Sequence, residues 1–264
     1  MSHTLGVLLF LLGLFLAMVL CLELGRRAGR RQLAEQGTDS ASWLGPLEGA
    51  IFGLLGLLVA FTFSGAAARF DARRQLILRE ANAIGTAYLR LDLLPAASQP
   101  ALRADFRDYL DARIRGYQAL PDVTRARVDF AQAAVLQASL WHKAVAAAQA
   151  GDAQASRLFL PALNEVFDLA VAREVSAITH VPGIILGMLA LLALFCSFLA
   201  GSATAKSPKV GLVQSIAFPV IFVVTLYVIL DLEYPSAGLI RLDAVDQVLY
   251  DVRRSMDTPE ARGP

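Results

Sequence analysis

Charged residues beside two long apolar runs are the part of this sequence most able to do chemistry. One group follows an apolar run at Arg69, Asp71, Arg73 and Arg74, and the other closes a later run at Asp231, Glu233 and Arg241. The first group predicts either an interface anchor, whose long side chains reach out of the membrane, or a charged ring at the mouth of a pore, where arginine suits anions. Acids at membrane depth are costly unless they are paired or hydrated, so the second group predicts either a structural ion pair or a site of ion passage or gating.

A third polar group lies on a segment whose pattern predicts a long helix. It comprises Glu80, Asn82, Thr86, Arg90 and Asp92. Glu80 and Asn82 are two residues apart, so they point in different directions on a helix. We interpret the group as the polar extension of a membrane helix, with side chains that form a network between helices.

Small residues form a stripe along the apolar run 47–68. They are Gly49, Gly53, Gly56, Ala60, Ser64 and Ala67, at steps of four, three, four, four and three. This spacing places them on one helix face. Small faces let membrane helices pack closely, and they suit the wall of a narrow pore equally well. The sequence leaves both interpretations open.

Signatures of catalysis are missing from the sequence. It has no phosphate-binding G-x-x-x-x-G-K-[ST] loop and no G-x-S-x-G nucleophile motif. The three histidines are isolated from one another, and the two cysteines lie in apolar runs, where they are typical of buried small side chains. We expect no enzyme, no catalytic residue, no metal and no cofactor. The net charge of +1 also argues against a nucleic-acid partner.

Four apolar runs would have to position these residues. The chain has 264 residues, 56% hydrophobic and 18% charged, with a mean hydropathy of +0.54. The runs cover residues 5–24, 47–68, 182–205 and 210–232, and each is long enough to cross a bilayer. We interpret the first as a retained span, because no charged leader and no cleavage site flank it. The fold class predicted is all-α, a polytopic membrane protein with four transmembrane helices.

The segment between the second and third runs reads as amphipathic helix throughout. We expect helices inside residues 70–181, a break at Pro161, and an inward face formed by Val128, Val135 and Leu136. The predicted domains are 1–45 (first transmembrane helix and arginine-rich loop), 46–69 (second transmembrane helix), 70–181 (helical extramembrane domain), 182–235 (third and fourth transmembrane helices) and 236–264 (C-terminal tail).

Two blocks of the sequence carry a family resemblance. Residues 48–95, EGAIFGLLGLLVAFTFSGAAARFDARRQLILREANAIGTAYLRLDLLP, resemble the start of the bacterial bestrophin-like domain of unknown function. Residues 228–243, VILDLEYPSAGLIRLD, resemble its closing motif. In that family the acidic pair is usually followed by Arg-Pro-Arg, whereas this chain has Tyr234-Pro235-Ser236. The resemblance extends over essentially the whole chain.

The resemblance has consequences for function and assembly, because bestrophins form pentameric anion channels lined by the second span. It implies a multi-pass protein of the bacterial inner (plasma) membrane, surrounded by lipid, that forms a homo-oligomer, a pentamer if bestrophin-like, and conducts ions such as chloride. The stripe would then face the central axis. The alternative is a non-conducting membrane sensor or scaffold whose helical domain binds a partner, with the stripe as a packing seam.

Overall fold

The structure, a computed structural model, describes residues 2–36, 44–120, 122–205, 212–235, 238–240 and 243–257. Its elements in chain order are α1 (Ser2–Gln36), α2 (Leu44–Arg90), a short 3-10 turn (Leu91–Leu93), α3 (Gln99–Ala119), α4 (Val123–Ala150), α5 (Ala153–Ile178), α6 (Gly183–Thr204), α7 (Leu212–Glu233) and α8 (Asp243–Ser255). The described residues contain no strand. The all-α prediction is therefore confirmed.

Four stretches of helix are long and apolar enough to cross a membrane. They are Thr4–Glu35, Pro46–Leu93, Ala153–Thr204 and Ile216–Glu233. The predicted number of spans is confirmed. The arginine-rich segment after the first run is helical up to Gln36, so the loop expected there is a wrong prediction. Arginine, alanine, glutamine, leucine and glutamate are all good helix formers, and they extend α1 past its apolar part.

The chain divides into two compact units. The first, here called the membrane unit, comprises Met1–Phe70 and His180–Ile240, and the second, the helical unit, comprises Asp71–Thr179 and Arg241–Pro264. The helical unit includes α8, which the sequence analysis assigned to a C-terminal tail. Leu249 and Met256 are buried in the core of this unit, so the end of the chain contributes to its packing.

In the membrane unit, α1 and α6 approach each other at glycines. A methyl group added at Gly201 would overlap the carbonyl oxygen of Leu22 and lie 2.8 Å from its carbonyl carbon. A methyl group at Gly25 would overlap the backbone of Phe198 in the same way. Backbone contact of this kind needs glycine, because any side chain would push the two helices apart. The small-residue seam of this unit therefore joins α1 and α6.

The helical unit has an aromatic and aliphatic core. Phe106, Tyr109 and Phe159 are among its fully buried side chains. The rings of Phe106 and Tyr109 meet edge to face at 6.4 Å between centroids, an arrangement that aromatic pairs prefer. Gly116 of α3 lies against the ring of Phe130 of α4, because an added methyl group would be 2.7 Å from its Cδ1 atom.

Helix α4 packs through alanine and leucine. Ala126, Ala133 and Leu140 are buried, whereas Val128 and Val135 are 69% and 71% exposed. The predicted inward face was therefore wrong at the two valines, which lie about half a turn from the packed face, whereas Leu136 packs against the core. In an alanine-rich helix the small residues can define the packed face, since they allow the neighbouring helix to come close.

Helix α5 continues through Pro161, which the sequence analysis took as a break. Proline inside a helix removes one backbone hydrogen bond. The neighbouring residues Phe159 and Leu163 are fully buried, and their packing stabilises the helix across this position. The first turns of α4 and α5 are capped by the side-chain oxygens of Asp122 and Asp152.

Candidate functional site

The small-residue stripe of α2 lies on the outward face of its helix. Gly49, Gly53 and Gly56 are exposed, and a methyl group added at any of them would meet no atom within 4 Å. Ala60 and Ser64 are also exposed, whereas Ala67 is partly buried. In the described part of the membrane unit, no other helix packs against the three glycines.

The opposite face of α2 is the one that packs. Leu55 is 3% exposed, and the ring of Phe52 meets that of Phe218 on α7 edge to face, 5.4 Å between centroids. Leu55 and Gly53 are two residues apart, so about 200° of helix rotation separates them. The glycines of the stripe are therefore not a packing seam within one chain, whereas Ala67 at its end packs against apolar side chains of α7.

Arg69 belongs to the packed side of α2 and binds a buried acid. Its Nε atom donates to Oε1 of Glu233 at 2.7 Å, and its Nη2 atom lies 2.6 Å from the same oxygen. The side chain of Glu233 is only 2% exposed. A charge-assisted hydrogen bond with a second guanidinium nitrogen beside the same buried carboxylate oxygen is a strong contact. Arg69 therefore ties α2 to the end of α7.

Glu233 also holds the segment between α5 and α6. The amide of Val181 donates to its Oε2 atom at 3.2 Å, and Nδ1 of His180 lies 3.8 Å from the same oxygen. The ring of His180 packs on Tyr234, with 4.3 Å between centroids. Tyr234 stands at a position where the sequence resemblance implies arginine, and here it supplies an aromatic surface instead of a charge.

Asp231 is bound by backbone rather than by a charged partner in the contacts described. Its carboxylate accepts hydrogen bonds from the amides of Leu239, at 2.9 and 3.1 Å, and Ile240, at 2.8 Å. A methyl group at Gly238 would lie 2.6 Å from its Cγ atom, so the loop can close over the carboxylate only with glycine there. Arg241, the sequence-based candidate partner, lies outside the described residues.

The remaining charges of the 69–74 group belong to the helical unit. Arg73 is buried and donates to the carbonyl oxygens of Ser176 at 3.1 Å and Thr179 at 2.7 Å. Asp71 is exposed and accepts a hydrogen bond from Gln75 at 2.7 Å. Arg74 is exposed. The four residues thus divide into two that bind inside their units and two that face outward.

Glu80 lies at the centre of a buried charged cluster in the helical unit. Its carboxylate accepts hydrogen bonds from Nη2 of Arg113 at 3.2 Å and from Nη1 of Arg173 at 2.8 Å. The side chains of Glu80, Arg113 and Arg173 are 1%, 3% and 8% exposed. Arg113 also contacts the carboxylate of Glu174. The formal charges of the two arginines and the two carboxylates cancel. Charges are tolerated in a protein interior when they are paired in this way.

Aromatic rings complete this cluster. The guanidinium of Arg173 lies 3.5 Å from the ring centroid of Tyr117, and the hydroxyl of Tyr117 accepts a hydrogen bond from Arg113. Burial raises the pKa of Tyr117, and the charge of Glu80 raises it further. Burial alone would lower the pKa of Arg113, but Tyr117 and Glu80 raise it above its ordinary value. Arg113 is therefore a permanent cation and Tyr117 a neutral phenol.

The other members of the third polar group do not share this cluster. Asn82 and Thr86 are exposed. Arg90 donates to the carbonyl oxygen of Leu158 at 2.7 Å, and Asp92 pairs with Arg103. Arg113 and Arg173, which sequence reasoning missed, lie 33 and 93 residues from Glu80 along the chain, a separation at which helical spacing carries no signal. Among the described residues, no group of three or more histidine, cysteine, aspartate or glutamate side chains is placed to hold a metal ion.

Known proteins resemble this chain over nearly its whole length. Residues 10–245 match the family model described as the Bestrophin-like domain. A crystal structure of a bacterial bestrophin homologue from Klebsiella pneumoniae, a point mutant, superposes with a TM-score of 0.67 at 18% identity, and the match covers 95% of this chain and 97% of that one. At this identity the likeness shows a shared fold. Among curated proteins, none matches the chain.

Proposed function

Since the chain belongs to the bestrophin-like domain family, we propose that it is an ion channel formed by a ring of identical subunits. In this proposal α2 of each copy faces the central axis, the conducted ions are anions such as chloride, and the protein resides in the bacterial inner membrane. The sequence resemblance favours five copies.

The outward stripe of α2 is the observation that carries this proposal. Gly49, Gly53 and Gly56 have open space where a side chain would stand, whereas Gly25 in α1 and Gly201 in α6 of the same unit serve close packing between helices. A lipid-facing surface needs no such row of small residues. In a ring, the row would give each subunit a narrow surface toward the axis, with room for ions between the copies.

The chemistry of this surface is that of a constriction and not of a binding site. Glycine and alanine offer no charged group, and Ser64 offers a single hydroxyl. A narrow apolar wall controls passage by how easily water and ions enter it. Its width, and so its conductance, would depend directly on side-chain size at the stripe.

The test is ion flux after one residue is enlarged. Gly56→Leu should abolish or strongly reduce chloride flux into proteoliposomes made with the purified protein, because each copy adds a leucine to the axis. Gly13→Leu in α1 is the matched control, since Gly13 is also exposed, in the same unit, and free of neighbours within 4 Å. It should leave the flux unchanged.

Subunit number is measured on the same samples. If wild-type proteoliposomes show no flux, the channel proposal fails. If Gly56→Leu dissociates the oligomer while the flux of each remaining oligomer is unchanged, the stripe is a seam between copies. The sensor or scaffold alternative then replaces the channel.

A further inference from the structure

Few charges of α2 are available to act on a passing ion. Arg69 is bound to buried Glu233, and Arg73 is buried and bound to the carbonyl oxygens of Ser176 and Thr179. Neither guanidinium can turn outward without leaving a buried partner unpaired, which is costly. The two arginines therefore serve the packing of their own units and do not set the charge of a pore.

Asp71 and Arg74 remain as outward-facing charges immediately after the apolar part of α2. Both are exposed. Asp71 is held by Gln75 at 2.7 Å, whereas Arg74 makes no hydrogen bond or ion pair with the residues that the structure describes. Its long side chain is thus free to extend into solvent, where a guanidinium attracts anions.

Helix register relates these two residues to the stripe. Because α2 is one helix from Leu44 to Arg90, residues three, four or seven positions apart share a face. Asp71 follows Ala67 by four residues and Arg74 follows it by seven, within about 20° of two full turns. The helix face that carries the small residues therefore continues with one acidic and one basic residue.

We infer that Asp71 and Arg74 set the ion selectivity of the channel proposed above, on which this inference rests. Arg74 attracts anions, and Asp71 opposes it by attracting cations. The two lie three residues apart, about 4.5 Å along the helix axis. In a ring of subunits they form two adjacent circles of opposite charge, so removal of either one leaves a circle of a single sign.

Reversal potentials of the purified channel in planar bilayers under a KCl gradient test this inference. Arg74→Gln should lower the chloride-to-potassium permeability ratio by roughly fivefold or more, because one unscreened charge near an ion at about 4 Å in water already has that effect and every copy loses one. Asp71→Asn should raise the ratio by a similar factor. Both shifts should shrink when the salt is raised tenfold on both sides, because salt screens exposed charges.

Arg79→Gln is the matched control. Arg79 is an exposed arginine of the same helix, but five residues after Arg74 it points about 140° away. It should leave the permeability ratio unchanged. The three side chains are exposed, so the variants should keep the wild-type subunit number and helical content.

The outcomes separate this inference from the proposed function. A conducting wild-type protein whose selectivity is the same in Arg74→Gln and Asp71→Asn overturns the inference and leaves the channel intact. Shifts of the same sign, or an equal shift in Arg79→Gln, also overturn it. A wild-type protein that does not conduct removes the channel itself.

Discussion

At the scale of single residues, Glu80 shows how the helical unit tolerates charge in its interior. One carboxylate binds two arginines that come from α3 and α5. The arginines in turn rest on Tyr117 and Phe130, whose ring faces favour a cation. Each member depends on the others, because a buried charge without its partner is strongly destabilising.

Glu80→Gln should therefore lower the free energy of unfolding by about 3–5 kcal/mol. The glutamine keeps the size of the side chain but leaves the charges of Arg113 and Arg173 without their common partner. Chemical denaturation in detergent, followed by helical circular dichroism, measures the effect.

Glu165→Gln is the control for this substitution. Glu165 is exposed on α5, and surface changes of this kind usually stay within about 0.5 kcal/mol. Equal effects of the two substitutions would show that the buried cluster contributes no more than an exposed acid.

Sequence reasoning at this scale had a clear limit. It marked Glu80 and Arg69 as unusual, because a charged residue within or beside an apolar helix is easily recognised in the sequence. It did not find Arg113 or Arg173, since each lies on an amphipathic helix where arginine is common. Their role arises only where three helices pack together, and the spacing of residues along the chain does not predict such a contact.

At the scale of elements, the crossing of α1 and α6 differs in kind from the stripe of α2. Both use small residues at helical spacing, and the sequence could not distinguish them. The structure does, because a methyl group added at Gly25 or Gly201 would overlap backbone atoms, while one added at Gly53 or Gly56 would meet no atom within 4 Å among the described residues.

Gly201→Ala should destabilise the membrane unit, by about 1–3 kcal/mol or more, since the new methyl group would overlap the backbone of Leu22. Gly56→Ala should be neutral or should stabilise the monomer fold by up to about 1 kcal/mol, because alanine favours the helix. Thermal unfolding in detergent micelles compares the two. A loss of stability in Gly56→Ala equal to that in Gly201→Ala would place α2 in a packed seam.

Element boundaries were predicted well where apolar length fixed them. The apolar run 182–205 became α6, Gly183–Thr204. Prediction was poor where the sequence is nearly uniform in polarity. In α4, valine seemed the natural core residue, yet alanine forms the packed face because it lets the neighbouring helix approach.

At the scale of the whole molecule, the proposal requires several copies. Native mass spectrometry of the protein in detergent or nanodiscs should show a single closed ring, with five subunits expected from the family resemblance. A ring follows because an asymmetric contact that closes by rotation produces cyclic symmetry. A monomer or a dimer would leave no shared axis for α2 and would contradict the channel proposal.

The glycine crossing of α1 and α6 also bears on how this sequence can change over time. The atoms that exclude a side chain at Gly25 and Gly201 belong to the backbone, so no second substitution elsewhere can make room for one. Gly116 is different, because its neighbour is the ring of Phe130, which a smaller residue could replace. Positions 116 and 130 are therefore free to co-vary among relatives, whereas Gly25 and Gly201 should be invariant in any lineage that keeps this crossing.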